Sequence, residues 1–218
     1  MGVLNILYSQ LFVTPPVPHD DFKGQTIIVT GANVGLGLEA AKHFARLNAS
    51  TVILACRDER KGEAAADSIR KFTRAEKCAI EVWPLDLSSS QSVLSFADRV
   101  EGLRRLDTVV ENAGILTQEW KVMEGSESTM KVNVYSTTML GLLVLPKLRQ
   151  SAKIHGKDGR LVFVGSELYS MAKFKEKNTL GNVLDNLDKK ELANMADRYV
   201  VPAPASRSTF PRSEKLTR

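Results

Sequence analysis

Three glycines in the segment Thr30-Gly31-Ala32-Asn33-Val34-Gly35-Leu36-Gly37 have a spacing that suits the binding of phosphate groups. One glycine permits a sharp turn, and the others let phosphates approach the backbone and let a helix pack closely on a strand. A pyrophosphate is then held at the N-terminus of the helix that follows. The alternative is a turn with a purely structural role. We predict a dinucleotide-binding loop made of Gly31, Asn33, Gly35, Leu36 and Gly37.

This loop lies between a predicted strand and a predicted helix. The β-branched run Thr26–Val29 predicts a strand buried on both faces, and apolar residues from Leu38 to Leu47 recur at helical intervals. The same alternation continues along the chain. It predicts strands at Thr51–Ala55, Ala79–Trp83, Leu106–Val110 and Arg160–Val164, and helices at Arg60–Phe72, Gln91–Val100, Glu127–Ile154 with a bend at Pro146, and Lys189–Tyr199.

Strands that alternate with helices in this way need crossover connections, so the sequence predicts an α/β fold with a Rossmann-like, doubly wound parallel sheet. Its length of 218 residues suits one globular domain. We divide the chain into an N-terminal extension (residues 1–23), a nucleotide-binding domain (24–201) and a disordered tail (202–218) that is rich in Pro, Ser and basic residues.

Composition excludes several other functions. Residues 202–218 contribute +3 of the net charge of +5, so we expect no nucleic-acid partner. The apolar stretch 3–13 is too short to span a bilayer, so we expect no stable membrane insertion, although membrane contact is a minor alternative. Cys56 and Cys78 adjoin apolar runs and are predicted to be buried and reduced, as in a cytoplasmic protein. The three histidines lack ligand spacing, so no metal site is predicted.

The glycine loop and four later motifs together resemble the short-chain dehydrogenase/reductase family, over residues 24 to about 201. Asp86 in Leu-Asp-Leu-Ser resembles the family's adenine-contacting aspartate. Asn112 lies in Glu-Asn-Ala-Gly, which resembles the family's Asn-Asn-Ala-Gly with glutamate in place of the first asparagine. Asn133 resembles the helix asparagine that relays protons, and Ser166 the catalytic serine. The sequence is most similar to the subgroup of retinol-dehydrogenase-like and fungal reductases, but it does not continue into the strands that the family places beyond the fifth.

The residue that follows the second predicted strand is Arg57. At this place an arginine would meet the 2′-phosphate of NADP, whereas an acidic residue would hydrogen-bond the ribose hydroxyl of NAD. Asp58 follows directly, but Arg60 and Lys61 are also near, so we predict NADP as the cofactor with Arg57 and Arg60 at its phosphate. The alternative is that Arg57 merely ends a strand at the surface.

The resemblance also implies a chemistry. In the family a hydride passes between nicotinamide and a carbonyl or alcohol carbon, a tyrosine moves the proton, and a serine holds the substrate oxygen. A lysine one helical turn after the tyrosine lowers the pKa of its hydroxyl. Tyr199 has the family's usual context, but Ala203 stands at the place of the lysine, after Pro202.

A second tyrosine competes for this role. Tyr169 and Lys173 have the literal Tyr-x-x-x-Lys spacing, but Tyr169 begins three residues after Ser166, which leaves no room to start the helix that should present it. We therefore predict Ser166, Tyr199 and Asn133 as the catalytic residues.

Together these features predict an NADP-dependent oxidoreductase that acts on a carbonyl or alcohol of a small lipophilic metabolite, in secondary metabolism. A homodimer is one option for its assembly. The alternative is a truncated, catalytically impaired nucleotide-binding pseudoenzyme, which the unrelated sequence after Val201 favours.

Overall fold

A computed structural model of the chain describes residues 11–14, 18–73, 78–166 and 173–198. Five strands within them form one parallel sheet, and two more form an antiparallel hairpin. In chain order the strands are β1 Thr26–Thr30, β2 Thr51–Cys56, β3 Ala79–Pro84, β4 Thr108–Glu111, β5 Val122–Met123, β6 Ser126–Glu127 and β7 Arg160–Phe163. The sheet has the order β3-β2-β1-β4-β7, which confirms the predicted doubly wound fold.

Helices connect these strands and cover both faces of the sheet. They are α1 Gly35–Arg46, α2 Glu59–Thr73, α3 Ser90–Glu101, α4 Ser128–Met130, a π-helix at Lys131–Ser136, α5 Thr137–His155, α6 Val183–Leu187 and α7 Met195–Arg198, with 3₁₀ turns at Lys175–Asn178 and Lys190–Leu192. None of the helices in the described ranges is both long enough and apolar enough to cross a bilayer.

Two apolar clusters hold the layers together, one on each face of the sheet. Successive side chains of a strand point to opposite faces. Ile27 and Val29 of β1 therefore pack with the alanines of α1 and α2, whereas Ile28 packs with α3 and α5. Phe22, which precedes the predicted domain boundary, packs edge to face on Phe44 with 5.0 Å between ring centroids.

The predicted helix Glu127–Ile154 is interrupted. Glu127 ends β6, the helix begins at Ser128, and a π-helix separates α4 from α5, with the Thr137 hydroxyl donating to the carbonyl of Val132 at 2.8 Å. The hairpin of β5 and β6 before it was not predicted, because strands of two residues carry no period. Pro146 lies inside α5.

The prediction of one helix over Lys189–Tyr199 is wrong in the part that the structure describes. The chain forms a 3₁₀ turn at Lys190–Leu192, becomes extended at Ala193 with ψ 128°, and turns again at Met195–Arg198. The Asp197 carboxylate accepts the N–H of Lys173, at 3.0 Å, and that of Phe174. Contacts distant in sequence therefore override the local helical pattern.

The two cysteines, both predicted to be buried, differ in their exposure. Cys56 is buried, as predicted, but Cys78 is half-exposed. It lies just before β3, which is an edge strand and has a neighbour on one side only among the described residues.

Candidate functional site

A cleft of about 360 Å³ opens at the carboxyl ends of β1, β2, β3 and β4. Between β1 and β4 the strand order changes direction, and parallel α/β sheets bind ligands outside the carboxyl ends at such a point. The cleft brings together the loops that follow these strands. Predicted site residues that line it are Gly31, Asn33, Arg57, Asp86 and Asn112, and other lining residues include Ser88, Ile115, Met123 and Val132.

Each glycine of the first loop meets a different steric requirement. Gly31 and Gly35 have positive φ, +65° and +60°, which other residues adopt only with strain. A Cβ atom on Gly37 would lie 2.5 Å from Nδ2 of Asn112 and 2.6 Å from the carbonyl oxygen of Gly31. A Cβ atom on Gly35 would have no atom within 4 Å. The loop therefore packs tightly at Gly37, against the residue that follows β4, and is open at Gly35.

The N-terminus of α1 lies beside this loop. Val34 caps the helix without a side-chain hydrogen bond, and the first turn contains no acidic residue. The Leu36 side chain is exposed on this turn, outside the cleft lining. Uncapped N–H groups at a helix N-terminus attract a phosphate.

Thr30 joins the ends of β1 and β4, a role that the sequence did not reveal. Its hydroxyl accepts the N–H groups of Asn112 and Ala113, each at 2.9 Å. The Asn112 side chain returns a hydrogen bond from Nδ2 to the Thr30 carbonyl at 3.0 Å. These bonds fix the glycine loop and the Asn-Ala-Gly segment relative to each other.

The basic residues after β2 are placed differently from each other. Arg57 is exposed and lines the cleft, whereas Arg60 is exposed on the first turn of α2 outside the lining. Asp58 is already engaged at the start of α2. Its Oδ1 accepts the N–H of Lys61 at 3.1 Å, and its Oδ2 lies 3.8 Å from the ammonium of the same residue.

Asp86 is held in place beyond β3. The N–H and the hydroxyl of Ser88 both donate to its Oδ1, at 2.9 and 2.7 Å. The Asp86 N–H in turn donates to the hydroxyl of Ser92 at 2.9 Å. The carboxylate therefore has a fixed orientation at the far side of the cleft.

The structure describes two of the three predicted catalytic residues. Asn133 lies in the π-helix, where its side chain accepts the N–H of Ile115 at 2.8 Å and donates to the carbonyl of that residue at 2.9 Å. Ser166 follows β7, which pairs with β4, so it lies at the same sheet edge as Asn112. Tyr199 and the competing Tyr169 lie outside the described residues.

Comparison with known proteins now identifies the family. The family model described as short chain dehydrogenase matches residues 25–176. The chain belongs to the short-chain dehydrogenase family. Among its relatives, short-chain dehydrogenase anuD of Penicillium roqueforti is 43% identical over 92% of this chain and 52% of its own length, and short chain dehydrogenase atnD of Emericella nidulans is 44% identical over 90% and 62%. The chain thus spans between about half and two thirds of these relatives.

Solved structures of other proteins are similar to this chain over most of its length. A Mycobacterium paratuberculosis protein superposes with a TM-score of 0.66 at 30% identity, over 86% of this chain and 60% of its own. A Shigella flexneri short chain dehydrogenase complexed with NADP has a TM-score of 0.63 at 29% identity, over 88% and 71%.

Glu111 lies directly before the cleft residue Asn112 in this short-chain dehydrogenase, outside the cleft lining. It ends β4 and is 2% exposed, and its Oε1 has no hydrogen-bond partner among the described residues. Burial raises the pKa of this carboxyl to about 8, opposed only by the Thr30 hydroxyl at 3.4 Å. The residue type alone predicts no role for a glutamate at the place of the family's first asparagine.

The hairpin of this short-chain dehydrogenase positions Met123 in the cleft. At its tip, the Glu124 carboxylate accepts the N–H and the hydroxyl of Ser90, and its Oε2 lies 2.7 Å from the Lys131 ammonium. Hydrogen bonds from Lys131 and Ser90 lower the pKa of Glu124 to about 2. The hairpin is thereby fixed to α3 and to the π-helix.

A buried guanidinium anchors the segment that leads to Tyr199. Arg198 is fully buried, with Nε 3.7 Å from Oε2 of Glu127 and Nη1 3.4 Å from Oε1 of Glu176. Glu127 also caps α4 through the N–H groups of Thr129 and Met130. Arg198 directly precedes Tyr199 in the sequence and is the last residue that the structure describes.

Proposed function

We propose that this chain is an NADP-dependent oxidoreductase that transfers a hydride between NADP(H) and a carbonyl or alcohol carbon of a small lipophilic metabolite. The observation that carries the cofactor choice is the contrast between two neighbours. Arg57 is exposed at the cleft, whereas Asp58 lies outside the cleft lining and its Oδ1 accepts the N–H of Lys61 in α2. The residue that would favour NAD is therefore engaged, and the residue that would meet a 2′-phosphate is available.

The surroundings fit the rest of the dinucleotide. The open side of Gly35 and the uncapped N-terminus of α1 suit its pyrophosphate, and Asp86 suits its adenosine half. When bound, NADP(H) supplies or accepts the hydride. Ile115 and Met123 line the cleft with apolar surface, which supports a lipophilic substrate.

For the proton transfer we propose Ser166, Tyr199 and Asn133. Ser166 would hold the substrate oxygen, Tyr199 would donate or accept the proton, and Asn133 would support the relay behind them. A tyrosine hydroxyl has an ordinary pKa near 10, so without a nearby cation it transfers protons poorly at neutral pH. Ala203 supplies none.

Cofactor preference tests the proposal. We expect NADPH to bind more tightly than NADH, and Arg57→Ala to weaken NADPH binding by about 10- to 100-fold because a charge-assisted hydrogen bond is worth roughly 1.5–3 kcal/mol. NADH binding should change little. Titration of both cofactors by calorimetry measures the four affinities.

Arg149→Ala is the matched control, since Arg149 is an exposed arginine of α5 outside the cleft lining. It should leave both affinities unchanged. Equal affinity of the unaltered chain for the two cofactors, or an Arg57→Ala chain that binds NADPH normally, contradicts the proposal.

Ala203 favours a second function, that of a nucleotide-binding protein without redox turnover. One assay distinguishes the oxidoreductase from the nucleotide-binding protein. A chain that binds NADPH but does not oxidise it in the presence of a panel of aldehydes and ketones supports the second.

A further inference from the structure

The Thr30 hydroxyl has one hydrogen to donate and two acceptors to choose from. Its oxygen already accepts two N–H groups, from Asn112 and Ala113. The remaining hydrogen can reach the carbonyl of Val110 at 3.5 Å or Oε2 of Glu111 at 3.4 Å. Glu111 is therefore in contact with the group that fixes the glycine loop to β4.

No counter-charge pairs with Glu111 in the part of the chain that the structure describes. The main elements that pack against β4 are β1, β7 and α5. The strand β1 has no ionisable side chain, and Arg160 of β7 pairs with Thr108, at the opposite end of β4. The other buried or half-buried ionisable groups nearby are engaged elsewhere: Lys131 with Glu124, Tyr135 with Asp188, Lys147 with Gln150 and Asp107 with Arg105. The remaining ionisable residues of α5, Arg149, Lys153 and His155, are exposed.

We propose that Glu111 is a positioning residue whose protonated carboxyl, acting through Thr30, keeps the glycine loop in its NADPH-binding conformation. An ionised carboxylate here would have the Thr30 hydroxyl as a donor to Oε2, at 3.4 Å, but its Oε1 would have no hydrogen-bond partner among the described residues to offset the lost hydration. It would also place a negative charge behind the loop that receives the pyrophosphate. NADPH binding is therefore coupled to one proton on Glu111. This inference rests on the proposed function, since it assumes NADPH as the ligand.

The coupling has a defined size. With a pKa of about 8, Glu111 is mostly protonated at pH 7 and protonated in only about one molecule in eleven at pH 9. The dissociation constant of NADPH should therefore rise about tenfold from pH 7 to pH 9 in the unaltered chain. In Glu111→Gln, which keeps the shape without the titration, it should stay constant.

Calorimetry in two buffers of different ionisation enthalpy adds an independent readout. At pH 9 the unaltered chain should take up close to one proton on binding NADPH, and Glu111→Gln should take up none. Glu119→Gln, a matched change of an exposed glutamate, should behave as the unaltered chain does. If Glu111→Gln does not fold, as judged by circular dichroism, Glu111→Asn replaces it, because asparagine is the residue that the family motif carries.

The outcomes distinguish a failure of the role of Glu111 from a failure of the proposed function. Equal dissociation constants at pH 7 and pH 9 in the unaltered chain, or the same rise in Glu111→Gln, overturn the role of Glu111. If NADPH binds at neither pH, the proposed function fails, and amide exchange at Asn112 and Ala113 decides the role of Glu111. Faster exchange at pH 9 in the unaltered chain than in Glu111→Gln supports it, and equal exchange overturns it.

Discussion

Glu111 is buried, and no described residue supplies a counter-charge, which affects the stability of the fold apart from cofactor binding. A glutamate is rarely buried unless it is paired, because its charged form loses its hydration. Here burial raises the folded-state pKa to about 8 from an ordinary value of 4.5. The stabilising contribution is complete below pH 4.5, decreases as the unfolded chain ionises, and is lost once the pH passes about 8.

We therefore expect the free energy of unfolding of the unaltered chain to fall between pH 5 and pH 8 relative to that of Glu111→Gln, by up to about 1.4 kcal/mol per pH unit. Urea denaturation at several pH values measures the difference. Glu119→Gln should follow the unaltered chain at every pH. Parallel curves for the unaltered chain and Glu111→Gln would show that Glu111 titrates normally in the folded state.

The predictability of single residues depended on the range of their interactions. The glycines were readable because a positive φ and a close approach depend on the residue itself. The functions of Thr30 and Glu111 were not readable, because Thr30 bonds to residues 82 and 83 positions away and Glu111 depends on its burial. Asp58 shows the same limit, since only the structure reveals that its carboxylate is engaged by α2.

At the scale of elements, β-branched and other apolar runs predicted the five strands of the sheet within a few residues. The three central strands, β1, β2 and β4, are almost wholly buried, whereas the edge strands β3 and β7 are partly exposed. The segment after β7 behaves differently. The buried side chain of Leu187 packs on Met130 and Val134. The other attachments are isolated polar contacts, namely Arg198 with two glutamates, and Asp188 with the N–H of Glu127 at 2.8 Å and the Tyr135 hydroxyl. No periodicity records such contacts, which is why the helix predicted at Lys189–Tyr199 was wrong.

These contacts predict a stability effect for Arg198→Met. Removing one partner of a buried ion pair leaves the other charge uncompensated and typically costs about 3–5 kcal/mol. We expect a loss of this size in the free energy of unfolding, because Glu127 and Glu176 would both remain buried. Urea denaturation of the variant measures it.

Two further variants separate charge from packing. Arg149→Met, at an exposed position, should change stability by less than about 0.5 kcal/mol. Combining Glu127→Gln with Arg198→Met should cost less than the sum of the single changes, because the two residues share one interaction. Additive losses would mean that Arg198 contributes through its packing against Trp120 rather than through the glutamates.

At the scale of the whole molecule, the topology followed from the alternation of strands and helices, since crossovers restrict a parallel sheet to few arrangements. Val162 and Val164, on and just after β7, are 43% and 48% exposed although apolar, so this side of the sheet is less covered than β1 or β2. Tyr199, the proposed catalytic tyrosine, lies outside the described residues. The proposed activity therefore depends on residues after Arg198, where the sequence departs from the family motif at Ala203.

Restoring that motif tests the catalytic proposal for the whole protein. Pro202→Ser with Ala203→Lys allows a helix to continue past Tyr199 and places a cation one turn after it. If the lysine lowers the tyrosine pKa by two to three units, carbonyl reduction should accelerate by about 100- to 1,000-fold, as followed by NADPH oxidation. Adding Tyr199→Phe should abolish the gain, whereas adding Tyr169→Phe should preserve it. An unaltered chain that already reduces carbonyls at ordinary rates and loses activity with Tyr169→Phe but not with Tyr199→Phe would assign the proton transfer to Tyr169 and Lys173 instead.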